Sequence, residues 1–229
     1  TSASGAGTIS GTLTNPTIIA QTAVYTITPL SGNCTGGTFT MSVTVNPKAT
    51  IANNVATPVC SITPFSFTPD VNDKIPSGTT YTWSSPTVTG GMTGGTSASG
   101  AGTISGTLIN PTNAAQTAVY TITPLSGNCT GGAFTMSVTV NPKATIANNI
   151  AAPICSAASF SFSSVSGDII PSGTTYTWSS PNVTGSMTGG TSASGAGTIS
   201  GTLTNPTNTA QTALYTITPL SGNCTGGTF

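Results

Sequence analysis

Along much of this chain apolar and small polar residues alternate with a period of two. Phe39, Met41, Val43 and Val45 are separated by Thr40, Ser42 and Thr44, Tyr81 and Trp83 by Thr82, and Phe65 and Phe67 by Ser66. Tyr25 and Ile27 share one face, and Ile9 and Leu13 straddle Gly11 in TISGTL. Successive side chains of a strand point to opposite faces, so this alternation predicts short, half-buried strands with Thr on the outward positions. No run places apolar residues at i, i+3, i+4 and i+7 over helical length. The loop 31–37, SGNCTGG, reads as a hairpin between the Tyr25 and Phe39 strands, and Asn46-Pro47 and Asn141-Pro142 each end a strand. Many short strands between Gly, Pro, Asn and Ser turns predict an all-β fold of antiparallel sandwiches.

The pattern itself repeats. TSASGAGTISGTL begins at Thr1, Thr96 and Thr191, a period of 95 residues with no insertion or deletion. A period this long describes an array of small domains rather than a solenoid. Residues 1–54 and 96–149 differ only at Thr14/Ile109, Ile18/Asn113, Ile19/Ala114 and Thr38/Ala133, whereas Ser61–Lys74 diverges freely around Phe65 and Phe67, kept as Phe160 and Phe162. Taking the Asn-Pro pairs as junctions makes 47–141 one complete unit. Residues 1–46 become the C-terminal half of a preceding repeat, and 142–229 a second repeat without its last strand, the one equivalent to Met136–Val140. The sandwiches expected are tandem and Ig-like, with Phe65, Phe67, Phe160, Phe162, Tyr81 and Tyr176 in their cores.

Charge narrows the function. The chain carries three Asp (70, 73, 168), three Lys (48, 74, 143), and no His, Arg or Glu. General acid–base and nucleophilic catalysis need titratable partners beside the reacting atom, and this inventory does not offer them. The reading is therefore no enzyme, no cofactor and no catalytic residue. Three lysines do not make a phosphate-binding face, which argues against nucleic acid. Asp70 and Asp73 hint at no more than a weak cation site in a solvated loop, and Cys34 and Cys60 have no His or CxxC companions for zinc, so no metal is expected.

The five cysteines form two classes: Cys34, Cys129 and Cys224 in the hairpin loop, Cys60 and Cys155 before the Phe strand. Two per repeat suggest one disulfide per domain. Pairing within the unit joins Cys60 to Cys129 and Cys155 to Cys224, leaving the partner of Cys34 outside this stretch. Pairing across the junction joins Cys34 to Cys60 and Cys129 to Cys155. Spacing favours the first without excluding the second.

The order VCS, TYTW, GAGTISGTLTN, YTITP and GNCTGG, running through every repeat, resembles the PKD-like or immunoglobulin-like repeats of very large Bacteroidota surface proteins. That resemblance implies Ig-like sandwiches, export by the type IX route, and a place in cell-surface adhesins or fibres, including those used in gliding. It brings no catalytic residues. Trp83 and Trp178 match the core Trp of such sandwiches. The expected role is an extracellular stalk or adhesive fibre whose partners are neighbouring repeats, with lateral or end-to-end self-association. A filament subunit completed by strand addition is the alternative, and a carbohydrate- or ice-binding module is a more distant one.

Overall fold

The computed structural model describes residue 5, residues 7–196 and residues 199–229, and among these every regular element is a strand. In chain order they begin with β1 (Gln21–Ile27), β2 (Leu30–Ser31), β3 (Cys34–Thr35), β4 (Phe39–Val45), β5 (Asn54–Val55), β6 (Val59–Cys60) and β7 (Pro64–Ser66). There follow β8 (Thr80–Trp83), β9 (Thr87–Val88), β10 (Thr93–Gly94), β11 (Ala98–Ala101), β12 (Ser105–Ile109), β13 (Gln116–Ser126), β14 (Cys129–Thr130) and β15 (Phe134–Asn141).

β1 and β4 form an antiparallel hairpin, in register from Gln21 opposite Val45 to Ile27 opposite Phe39. The TISGTL segment before it forms no strand, although its copy Ser105–Ile109 does. That copy is held by Pro64–Ser66 on one side and Thr93–Gly94 on the other, and among the described residues, 8–13 have no such neighbours. Alternation alone does not make a strand without an edge to pair with.

The central sandwich is built on β13. Its flanks are β15 and β8, with β11 beyond β8, while β10, β12 and β7 form the facing layer. Alternate residues of β15 (Phe134, Met136, Val138, Val140) are buried against Tyr120, Ile122, Ile104 and Leu108, each worth roughly 1.5–3 kcal/mol of apolar burial. The rings interlock: Phe65 stands 5.3 Å from Tyr120, and Phe67 stands 5.4 Å from Phe134 and 6.0 Å from Tyr81. Trp83 is buried and its indole N–H donates to the Thr96 carbonyl at 3.1 Å.

β5 and β6 run parallel to β15, pairing at Met136–Asn54 and again at Val140–Val59. The stretch 49–60 therefore travels straight along β15 from one end of the sandwich to the other.

The C-terminal sandwich repeats the plan. Ser159–Ser161 pairs with Ser200–Thr204, and Thr175–Trp178 lies between Ala193–Ala196 and Ile217–Ser221. Tyr176 is buried, while Trp178, Phe160 and Phe162 are half-buried, as is Phe67 in the central copy. Phe229 exchanges two main-chain hydrogen bonds with Ile217, and its ring lies 5.3 Å from Phe162, the place Phe134 takes beside Phe67. The fold is all-β, a tandem of antiparallel Ig-like sandwiches on the 95-residue period.

Candidate functional site

Each sandwich has two ends, and short-range chemistry defines both. At the end where a sandwich begins, the hairpin loop closes against the incoming chain. Gly131 N–H donates to the Pro124 carbonyl at 2.9 Å, and a Cβ on Gly131 would press into the backbone of Ala49. Gly226 repeats both features with Pro219 and Ala144. Cys129 and Cys224 sit in these hairpins, so both belong to the leading end.

The trailing end is organised by an asparagine. Buried Asn110 donates from Nδ2 to the carbonyls of Ala114 and Val140 at 2.8 and 2.9 Å, and its Oδ1 accepts from the Thr112 amide and hydroxyl. Its backbone N–H donates to Ser61 Oγ at 3.0 Å. One residue thus ties the NPT loop and the end of β15 through its side chain, with all the side chain's polar atoms satisfied, and the residue after Cys60 through its backbone. Asn15 makes the matching bonds to Ile19 and Val45, and Asn205 the one to Thr209. Just beyond, Ile62 is held at φ 68, a conformation β-branched residues rarely adopt, and Ala157 shares it at φ 67. The turn swings the chain back into β7 and leaves Cys60 at the tip.

The disulfide follows from these placements. Cys60 is opposite Asn141 at the trailing end, and Cys129 is opposite Ser126 at the leading end. The β15 strand between them spans roughly 23 Å, far beyond the reach of a disulfide. The structure accordingly contains neither of the pairings expected from spacing. It joins Cys60 to Cys224, with Cα atoms 5.6 Å apart and a sequence separation of 164, and leaves Cys34, Cys129 and Cys155 as free thiols. The trailing end of the central sandwich is bonded to the leading end of the next. Closing a loop this long removes about 5 kcal/mol of unfolded-chain freedom on the chain-entropy model.

Around this bond the joint is short. Asn141-Pro142 connects the two sandwiches directly, and Asn113, Asn141 and Pro142 face Pro171, Ser172 and Asn223 across a shallow cleft. At the preceding joint Lys74, bridged to Thr50, donates from Nζ to the Pro16 carbonyl at 2.8 Å and so reaches the NPT loop of the N-terminal segment.

The carboxylates turn out to be loop braces. Asp73 accepts from the amides of Ala52 and Asp70 at 2.9 and 2.8 Å, and Asp168 accepts from those of Ala147 and Val165 at 3.0 and 2.8 Å. Asp73 and Asp168 are one position in successive repeats, a recurrence the sequence reading missed because their surroundings diverge. Among the described residues no three His, Cys, Asp or Glu gather as metal ligands. Tyrosines provide the perturbed titrations. Burial pushes the Tyr120 phenol up to about 12, and its hydroxyl has no hydrogen-bond partner among the described residues. Burial, with the Asp73 carboxylate in addition, raises Tyr81, and burial with Asp168 raises Tyr176. What the arrangement can do is mechanical: hold one sandwich against the next.

The sequence missed Asn110 and its copies. The signal was there as Asn-Pro-Thr at the same place in all three copies, since Asn and Thr side chains in a turn cap the backbone. A comparison with curated proteins finds no match. A family model described as the PKD-like domain matches residues 1–49, 57–144 and 152–229, in phase with the repeat. Across nearly its whole length, then, this chain belongs to the PKD-like domain family.

Proposed function

We propose that the chain is a stalk or adhesive-fibre segment of an extracellular protein, divided into units at 1–46, 47–141 and 142–229. The observation that carries this reading is the joint. Successive sandwiches of nearly one sequence meet head to tail through Asn141-Pro142 and a disulfide. A disulfide suits an oxidising, extracellular setting, and PKD-like family membership favours a non-catalytic structural or adhesive repeat. No helix of the described residues is long and apolar enough to cross a membrane. Placement in a Bacteroidota surface adhesin, exported by the type IX route and used in gliding, rests on the resemblance of the repeat motifs.

A second reading has one observation in its favour. The β1–β4 hairpin leaves Tyr25 and Phe39 exposed on one face, an apolar surface suited to pairing with another molecule. Protease shaving of intact source cells, followed by the reduced and denatured mass of the released antigen, separates the two. Surface release of a polypeptide many times 22.4 kDa is expected for a stalk. A surface polypeptide near 22.4 kDa would make this a filament subunit, and material protected inside the cell would refute both.

A further inference from the structure

We infer that the disulfides of this repeat run between sandwiches, from each trailing-end cysteine to the hairpin cysteine 164 residues further along, and that they make the array a covalent cable that does not lengthen when its sandwiches unfold. This rests on the stalk reading above and gives it a mechanism.

The pairing rule comes from position. Cys60 and Cys155 occupy trailing ends, Cys34, Cys129 and Cys224 leading ones, and at a separation of 164 the only pair both of whose members fall within these 229 residues is Cys60–Cys224. By this rule Cys34, Cys129 and Cys155 have no partner within residues 1–229, and they are the three free thiols. Each link forms when two thiols surrender two protons and two electrons to a low-molecular-weight disulfide, which departs as two thiols.

The mechanical consequence follows from the path between links. From Cys129 the chain runs along β15, through Asn141-Pro142, and along the stretch equivalent to 49–60 to Cys155. That path covers two sandwiches in about 26 residues, which fully extended reach at most about 90 Å. Two folded sandwiches measure roughly 70–90 Å from strand lengths plus loops. Where the period continues, such segments join end to end through disulfides in two staggered lines. Tension passes along these lines, and the 164-residue loops, with their sandwiches, are bypassed. Unfolding then releases almost no length.

In this chain the tensioned path is Thr1 to Cys60, across to Cys224, and on to Phe229. The test is single-molecule stretching of the oxidised 229-residue chain held at its two ends, with thiol labelling under denaturing, non-reducing conditions. The fully extended oxidised chain is expected to be shorter than the reduced chain by roughly 570 Å, the length of the bypassed loop. Maleimide should modify Cys34, Cys129 and Cys155 only, and Cys60→Ser should restore the full length. A hidden length near roughly 480 Å with one reactive thiol would mean bonds within each unit. A hidden length near roughly 180 Å would mean Cys34–Cys60 with Cys129–Cys155. Either result, or five reactive thiols, overturns the inference.

Discussion

The central and C-terminal sandwiches carry nearly the same residues, and the N-terminal hairpin carries a third copy of two strands, yet the three are buried differently. Phe134 is 2% exposed and its copy Phe39 is 51% exposed. Tyr120 is fully buried, whereas Tyr25 is 38% exposed. Ile122 is fully buried and Ile217, beside a single residue of the closing strand, is 8% exposed. Identical side chains on an identical alternation are buried most completely where β15 and the facing layer are both present. Burial is thus a property of the closed sandwich, and the strand that closes each one also leads straight into the next. Closure and connection are the same piece of chain.

The sharpest way to break this contrast is a charge on β15. Val138→Asp places an unpaired carboxylate in the core and is expected to remove at least about 4 kcal/mol from the central sandwich, eliminating its thermal transition. Val43→Asp, the same change in the hairpin copy, should leave both sandwich transitions in place. Calorimetry that found the two variants equivalent would deny β15 its closing role. A cavity gives a smaller effect of the same kind. Leu108→Ala, at a fully buried site, is expected to destabilise by about 3 kcal/mol, and Leu203→Ala, half-buried, by about half that, in urea titrations of the two variants.

The contrast extends to alkaline pH. Tyr120 titrates near 12 in the folded state against 10.0 when unfolded, so the unfolded chain loses its proton first as pH rises. The sandwich is unaffected below about pH 10 and loses stability as pH climbs from about 10 to about 12, by about 2–3 kcal/mol in all. Tyr120→Phe should abolish most of that slope and, by deleting a partnerless buried hydroxyl, leave the protein at neutral pH as stable or more so by about 1 kcal/mol. An unchanged alkaline slope in Tyr120→Phe would show that other groups control it.

How much of this was readable from the residues depends on the range of the interaction. The β4 and β15 alternation announced itself, because a strand seven residues long repeats its face three times. The parallel strands β5 and β6 are two residues each, too short for any periodicity, and it is they that carry Cys60 to the trailing end. Without them, spacing pointed to pairings within a unit or between adjacent loops, and the actual bond spans 164 residues. Asp73 looked like a solvated loop residue because its acceptors' partners, the amides of Ala52 and Asp70, have no side-chain signature.

The central claim is that leading and trailing ends face opposite ways and are locked across the joint. The free thiols of Cys129 and Cys155 mark the two far ends of the pair of sandwiches, so spin labels on both, in a Cys34→Ser background, measure the whole assembly at once. The account predicts one narrow distance distribution centred at roughly 70–90 Å in the oxidised chain, from two sandwiches laid end to end. A broad distribution, or a peak at half that distance, would show that the sandwiches swing freely or fold back, and would contradict it.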